Sequence, residues 1–235
     1  MAGEDSYVTL KGADFKDALE QQWKEEGARP VAALGVSDNV SYTYDITRPI
    51  GDPVTSVTID GAPLDPNADY VVAASLYLLS GNEGMTALTR GTAPAQTGII
   101  DVNSTIGYLA NKDVKARTGQ GQVSVTPSRE FKAGEDITLE LAGLRYTQGD
   151  TASEDTVTLG DESVTAPIDP TLGEPGFVES GTATVTLTVS AELEGAHELN
   201  FTTDADTDIS MPVGIAAAET DDDNGGNDNN ERQRR

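Results

Sequence analysis

The hydrophobic period changes part-way along this chain, and that change sets what it can fold into. Up to about residue 116, stretches of helical and strand period alternate; from about 120 to 216 only period-two stretches recur, with turn residues between them. A helix buries a stripe repeating every 3.6 residues and a strand a face repeating every two, so an α+β region precedes an all-β one. In the first, Phe15, Ala18, Leu19 and Gln22/Trp23 predict a helix from about Ala13 to Glu26, after a strand ending near Lys11-Gly12. Val40, Tyr42 and Tyr44 alternate with Ser41 and Thr43, and a strand over Val54–Ile59 closes on the tight-turn pair Asp60-Gly61. The apolar run Tyr70–Leu79 predicts a buried strand. Asp101, as an N-cap, predicts a helix with Val102, Ile106 and Leu109 on one face.

In the second region the alternating sets are Val123/Val125, Ile137/Leu139/Leu141, Val157/Leu159, Ala183/Val185/Leu187/Val189 and Leu199/Phe201. Their spacing predicts an immunoglobulin-like β-sandwich without the cysteine pair and core Trp of an antibody domain. From 217 onward the chain is nearly all Asp, Asn, Gly and charge, which cannot bury a core and is expected to be a disordered acidic tail. The expected domains are therefore 1–116, 120–216 and the tail 217–235.

Charge narrows the partners. Forty acidic against 15 basic residues leave a formal charge of −25, a field that repels DNA, RNA and anionic lipid. No run of eighteen apolar residues exists, so no membrane insertion is expected. The sequence around Met1-Ala2-Gly3-Glu4 is not a basic-then-apolar signal peptide, so export would rely on a signal outside this chain. Cysteine is absent and His197 is the single histidine. A two-metal phosphoesterase centre needs several His and Asp ligands, and no hydroxyl here has a partner histidine to activate it as a nucleophile. Catalytic residues and cofactors are thus expected to be none. The acid-rich stretches Asp150–Asp155 and Asp204–Asp208 lack the spacing of a calcium loop and read as solvated loops.

From Tyr7 to Lys112 an ordered set of segments resembles one family. The pieces are Val8-Thr9-Leu10-Lys11-Gly12-Ala13-Asp14, Val40–Asp45, Arg48-Pro49-Ile50-Gly51-Asp52, Val57–Gly61, Tyr77-Leu78-Leu79-Ser80-Gly81-Asn82-Glu83-Gly84 and Thr97–Asp101. Together they resemble the C-terminal domain of the 5'-nucleotidase family, whose members include UDP-sugar hydrolases and cyclic-nucleotide phosphodiesterases. The resemblance implies a domain that grips the nucleoside while a metallophosphoesterase domain, holding two divalent metal ions, cleaves the phosphate ester. It implies a substrate-binding loop made by Tyr77, Gly81, Asn82, Glu83 and Gly84. Tyr77 stands for the family's stacking Phe, Glu83 for its Asp, Asn82 for a Gly and Met85 for the closing Phe. A ring stacks on any base, glycines let backbone approach a ligand, and the carboxylate accepts from sugar hydroxyls or loop amides. The family's second ring falls near Asp5, where there is no Phe.

The residues leave two readings open. In one, this chain is the nucleotide- or nucleoside-recognition part of an extracellular or cell-wall 5'-nucleotidase-type phosphohydrolase in nucleotide catabolism, inactive alone and binding its ligand weakly. In the other, the chain is a non-catalytic cell-surface interaction or spacer module with a vestigial nucleotidase lobe; for the loop itself, the plain alternative is that Tyr77 is a core ring and 80–84 only a turn.

Overall fold

A computed structural model describes residues 3–25, 31–115, 117–126, 131–149, 151–172 and 180–218. The chain is mostly β with few helices and divides into two compact units, Met1–Lys115 and Ala116–Arg235. The expected tail lies almost wholly outside the described residues.

The first unit is organised by β1 (Glu4–Lys11), the middle strand of a three-stranded antiparallel sheet. Its neighbours are β5 (Asp69–Ser75) and β6 (Thr92–Ile100). Alternation along β1 turns Ser6, Val8 and Leu10 inward. Val8 and Leu10 join Ala18, Leu79, Met85, Ala87 and Leu88 in one core cluster, with Val72 and Ala74 packed against it. A second sheet runs β2 (Val40–Tyr44), β3 (Val54–Ile59) and the short β4 (Ala62–Pro63). Between the two cores lies α1 (Gly12–Glu20), which gives Ala18 to the first and Leu19 to the second, where Leu19 meets Val54 and Val57. The start of α1 requires glycine: a Cβ on Gly12 would stand 2.1 Å from the Asp65 carbonyl oxygen, inside any allowed contact.

Three expectations for this unit need correction. The first helix stops at Glu20 rather than continuing towards Glu26, a residue outside the described set. Gln21 N still makes the helical bond to Asp17 O at 3.1 Å, but the next two amides close tighter turns, Gln22 N to Leu19 O and Trp23 N to Glu20 O at 3.4 Å each, and Gln22 also bonds away from the helix. The buried Gln22 donates through Nε2 to Leu19 O (2.9 Å) and accepts through Oε1 from the Leu34 amide (2.7 Å). Trp23 leaves the helix to pack on Tyr44, ring centroids 4.8 Å apart. The apolar run 70–79 is not one buried strand: β5 ends at Ser75 and is half exposed, and Leu76–Leu79 form a helical turn, α2. Finally, α3 spans Asp101–Asn111 with Ile100 as its cap, so Asp101 is its first residue, and it buries no residue. Its Val102, Ile106 and Leu109 are exposed.

The second unit holds two sheets around one core. The larger orders as β11-β10-β13-β14-β8. These are β8 (Phe131–Lys132), β10 (Glu154–Leu159), β11 (Glu162–Pro167), β13 (Gly195–Thr203) and β14 (Asp208–Ala216). The smaller orders as β12-β9-β7, from β7 (Ser124–Thr126), β9 (Asp136–Ala142) and β12 (Ala183–Thr188). Pairing is antiparallel except between β14 and β8. Register places Val157 opposite Phe201 and Leu159 opposite Leu199 in one sheet, and Leu139 opposite Val185 in the other. All six belong to one buried cluster, as period-two alternation demands when one face of each sheet is covered.

Candidate functional site

The loop that carries the candidate residues is built from α2 outward. Ser75 caps the helical turn, its Oγ accepting from the Leu78 amide at 3.4 Å. Ser80 Oγ donates to Leu76 O at 2.7 Å, closing the far end. The chain then reverses through three residues of left-handed backbone: Gly81 and Gly84 with φ +82°, and Glu83 with φ +57°. Glycine carries that conformation without strain, whereas a glutamate carries a steric cost that its side-chain contacts must offset.

Those contacts are present. The Tyr77 hydroxyl donates to Glu83 Oε1 at 3.1 Å, and Asn82 Nδ2 donates to Tyr77 O at 2.8 Å. Tyr77, Gly81, Asn82, Glu83 and Gly84 are therefore brought together in one loop. Tyr77 is 54% exposed, so it is not a core ring. Met85, in contrast, is fully buried and fastens the loop's end into the core. Gln21 braces the same end, donating to Thr86 Oγ1 at 2.9 Å and accepting from the Ala87 amide at 2.9 Å. Lys24 reaches the loop's outer side; its Nζ would lie 3.7 Å from a Cβ placed on Gly84. The result is a braced loop with one ring, one carboxylate and glycine backbone at its surface, able to offer a flat apolar face beside an acceptor for hydroxyls.

Beside the loop an open hollow of about 550 Å³ lies against β1, α2 and β6. The sequence did not signal it. It is walled by Val8, Leu76, Leu79, Leu88 and Pro94, among others, with Ser6, Tyr7, Ser80, Thr89 and Gln96 as its polar residues.

The other sequence candidates fall away from chemistry. Asp5, where the family's second ring would stand, accepts a hydrogen bond from Ser104 Oγ. His197 lies on β13 with Nε2 beside Glu194 O at 3.1 Å. Among the described residues no three His, Cys, Asp or Glu side chains are placed to hold a metal ion. Asp204 accepts from Ser153 N (2.8 Å), Ser153 Oγ (2.6 Å) and Glu154 N (3.2 Å), and these bonds, the Ser153 hydroxyl foremost, hold its carboxyl below the usual carboxylate range. Asp155 corrects the expectation of a solvated loop. It sits on β10 with its side chain in the core, both carboxylate oxygens buried without a partner among the described residues. Burial pushes its pKa up to about 6. Its place in the alternation Asp155/Val157/Leu159 is the signal that could have found it.

With this geometry in view, comparison with known proteins is direct. Residues 1–90 match the family described as 5'-nucleotidase, C-terminal domain. That stretch contains β1, α2 and the whole Tyr77–Gly84 loop. Over 111 residues the chain is 28% identical to an apyrase from Aedes aegypti, covering 43% of this chain and 19% of the apyrase. A solved structure, that of a 5'-nucleotidase precursor from Thermus thermophilus, is 28% identical over 46% of this chain and 22% of that one, with a TM-score of 0.39. The chain thus spans about a fifth of the length of these relatives.

Proposed function

We propose that the first unit is a nucleoside-recognition module of a 5'-nucleotidase-type phosphohydrolase. The observation that carries this reading is the Tyr77–Glu83 pair, an exposed ring bonded to a carboxylate across a glycine turn, inside the region that matches the family. Glu83 keeps acceptor capacity for sugar hydroxyls while the Tyr77 hydroxyl fixes its direction, and the Tyr77 ring gives the ligand a flat face. Phosphate-ester cleavage belongs on this reading to a metallophosphoesterase domain with two divalent ions, since this chain has one histidine. The second unit, an immunoglobulin-like sandwich in this reading, is a spacer, and the whole works outside the cell or at its wall.

One ring contributes about 1–3 kcal/mol, less than the roughly 4.1 kcal/mol of a millimolar dissociation constant. Adenosine should therefore bind the isolated chain no tighter than millimolar, and Tyr77→Ala should weaken that binding further. Calorimetry returning a micromolar Kd contradicts the expected weakness; binding indifferent to Tyr77→Ala contradicts the site.

A second reading, a surface interaction module, is favoured by α3, whose Val102, Ile106, Tyr108 and Leu109 are all exposed. Val102, Ile106 and Leu109 recur at helical spacing on one face, and exposed apolar faces of this kind mark sites where partners dock. If a chain bearing both this unit and an active metallophosphoesterase domain hydrolyses AMP equally well with Tyr77→Ala, the interaction reading replaces the nucleoside one.

A further inference from the structure

Helix α3 is built inside out. A helix at the surface of a folded unit ordinarily turns its apolar stripe to the core and its polar side to water. At 3.6 residues per turn, Val102, Ile106 and Leu109 fall within about 60° of one another, and Asp101, Ser104 and Gly107 lie about 180° away. It is the second set that faces the fold. Asp101, Ser104 and Gly107 are half-buried; Asp101 Oδ2 accepts from the Gly3 amide at 3.0 Å, and Ser104 Oγ donates to Asp5 on β1. The apolar set points outward, each residue more than half exposed. Nor is that outer face dressed for water. In a chain with 23% charged residues, the eleven residues of α3 hold one charge, Asp101, and it lies on the inner side. Thr105 and Ala110, which flank the apolar row, are small and exposed.

The chemistry of this face selects its cover. The row from Val102 to Leu109 is straight, uncharged and about 10 Å long, a shape that accepts another helix packed along it at roughly 8–10 Å between axes. A basic partner, drawn to a chain of charge −25, would find no outward acid on this row to pair with. The two ends of α3 differ and complement each other. Asp101 begins the helix, and Lys112 follows it, exposed and without an ion pair among the described residues. When two copies of α3 run antiparallel, the Asp101 end of each meets the Lys112 end of the other, and the positive end of each helix dipole meets the negative end of its neighbour. A two-fold axis makes both contacts at once.

We infer that α3 is a self-association helix, whose Val102, Ile106 and Leu109 face packs antiparallel on the same face of a second copy of this chain, about a two-fold axis near Ile106. This deepens the interaction reading of α3 by naming the partner. Its readout, the oligomeric state, is separate from the AMP hydrolysis that decides that reading and from the adenosine binding that decides the nucleoside one. Two helices of this length bury less than the roughly 1,200 Å² below which contacts are transient, so the pairing is weaker than micromolar.

The test is sedimentation velocity of the full chain from about 10 µM to about 500 µM in roughly 0.5 M NaCl, where repulsion between two such acidic chains reaches less far than the roughly 8 Å of physiological salt. The weight-average mass should climb from the 24.6 kDa of one chain towards twice that value. Ile106→Asp places a charge on a face that buries nothing, so it should weaken association by at least about ten-fold while its far-UV circular dichroism matches the parent. Because the chain has no cysteine, orientation can be read by cross-linking. Ile106→Cys, near the axis, should form a disulfide with its own copy under mild oxidation, since the two Cα atoms can approach within about 7 Å. Lys112→Cys should not, because the two copies of that position stand roughly 18 Å apart along the paired helices. A chain that stays monomeric at about 500 µM overturns the proposal, as does a dimer unmoved by Ile106→Asp. Self-cross-linking as efficient at 112 as at 106 overturns the antiparallel pairing.

Discussion

The two units solve the problem of burial differently. Among the described residues, the second closes its sheets on a single cluster of 20 buried residues, whereas the first divides its interior into clusters of seven and three. Fifteen of the 17 exposed large hydrophobic residues among those described lie in the first unit; only Tyr146 and Leu172 belong to the second. A fold that leaves so much apolar surface uncovered is suited to covering it with something else. The contrast fits the proposed reading, in which the first unit carries recognition.

The sharpest way to break this contrast is to cut into the second core. Phe201 is 1% exposed and packed between β10 and β14, so Phe201→Ala should cost about 3–5 kcal/mol, read from hydrogen exchange of the β13 amides. A loss under about 1 kcal/mol would mean that this core is loose.

Next in size is Asp155, a flaw in that core. Its folded pKa, raised by burial to about 6, lies above the ordinary carboxylate value of 3.8. A carboxyl raised on folding is most favourable to the folded state below its unfolded pKa. Its contribution is lost as pH climbs through the folded value. Between about pH 4 and pH 7.5 the second unit should therefore lose stability on the order of 2–3 kcal/mol from this residue. Asp155→Asn should remove that dependence and raise the urea midpoint at pH 7.5. An unchanged pH profile would show that the carboxylate finds a partner in solution. The smallest effect is expected at Val71 on β5, which is 72% exposed. Val71→Ser should change stability by less than about 0.5 kcal/mol, and a loss above about 1 kcal/mol would show that this sheet face is covered.

Legibility in the sequence followed the same divide. The sets Ile137/Leu139/Leu141 and Ala183/Val185/Leu187 announced β9 and β12 because a strand covered on one face must alternate. β14 passed unnoticed although Val213 and Ile215 alternate, since acids just before it drew the segment towards a loop. In the first unit local pattern was weaker than tertiary demand. Thr92–Ile100 holds Pro94 and Gly98 and has no strand signature, yet it is a strand because β1 offers it an edge. Leu76–Leu79 looked like strand by hydrophobicity alone, while Ser75, a good helix cap, was the overlooked cue. The loop residues were readable through the resemblance. The bond from Tyr77 to Glu83 was not, because it depends on left-handed backbone at a glutamate, which sequence does not advertise. The hollow was invisible for a related reason: its walls come from β1, α2 and β6, which are far apart in sequence.

The most direct measurement is a heteronuclear NMR titration of the ¹⁵N-labelled full chain with adenosine, following every backbone amide. Saturable shifts should concentrate at residues 76–84, around the bonded tyrosine and glutamate. Shifts confined to the second unit, or none that saturate, would contradict a recognition role for the first.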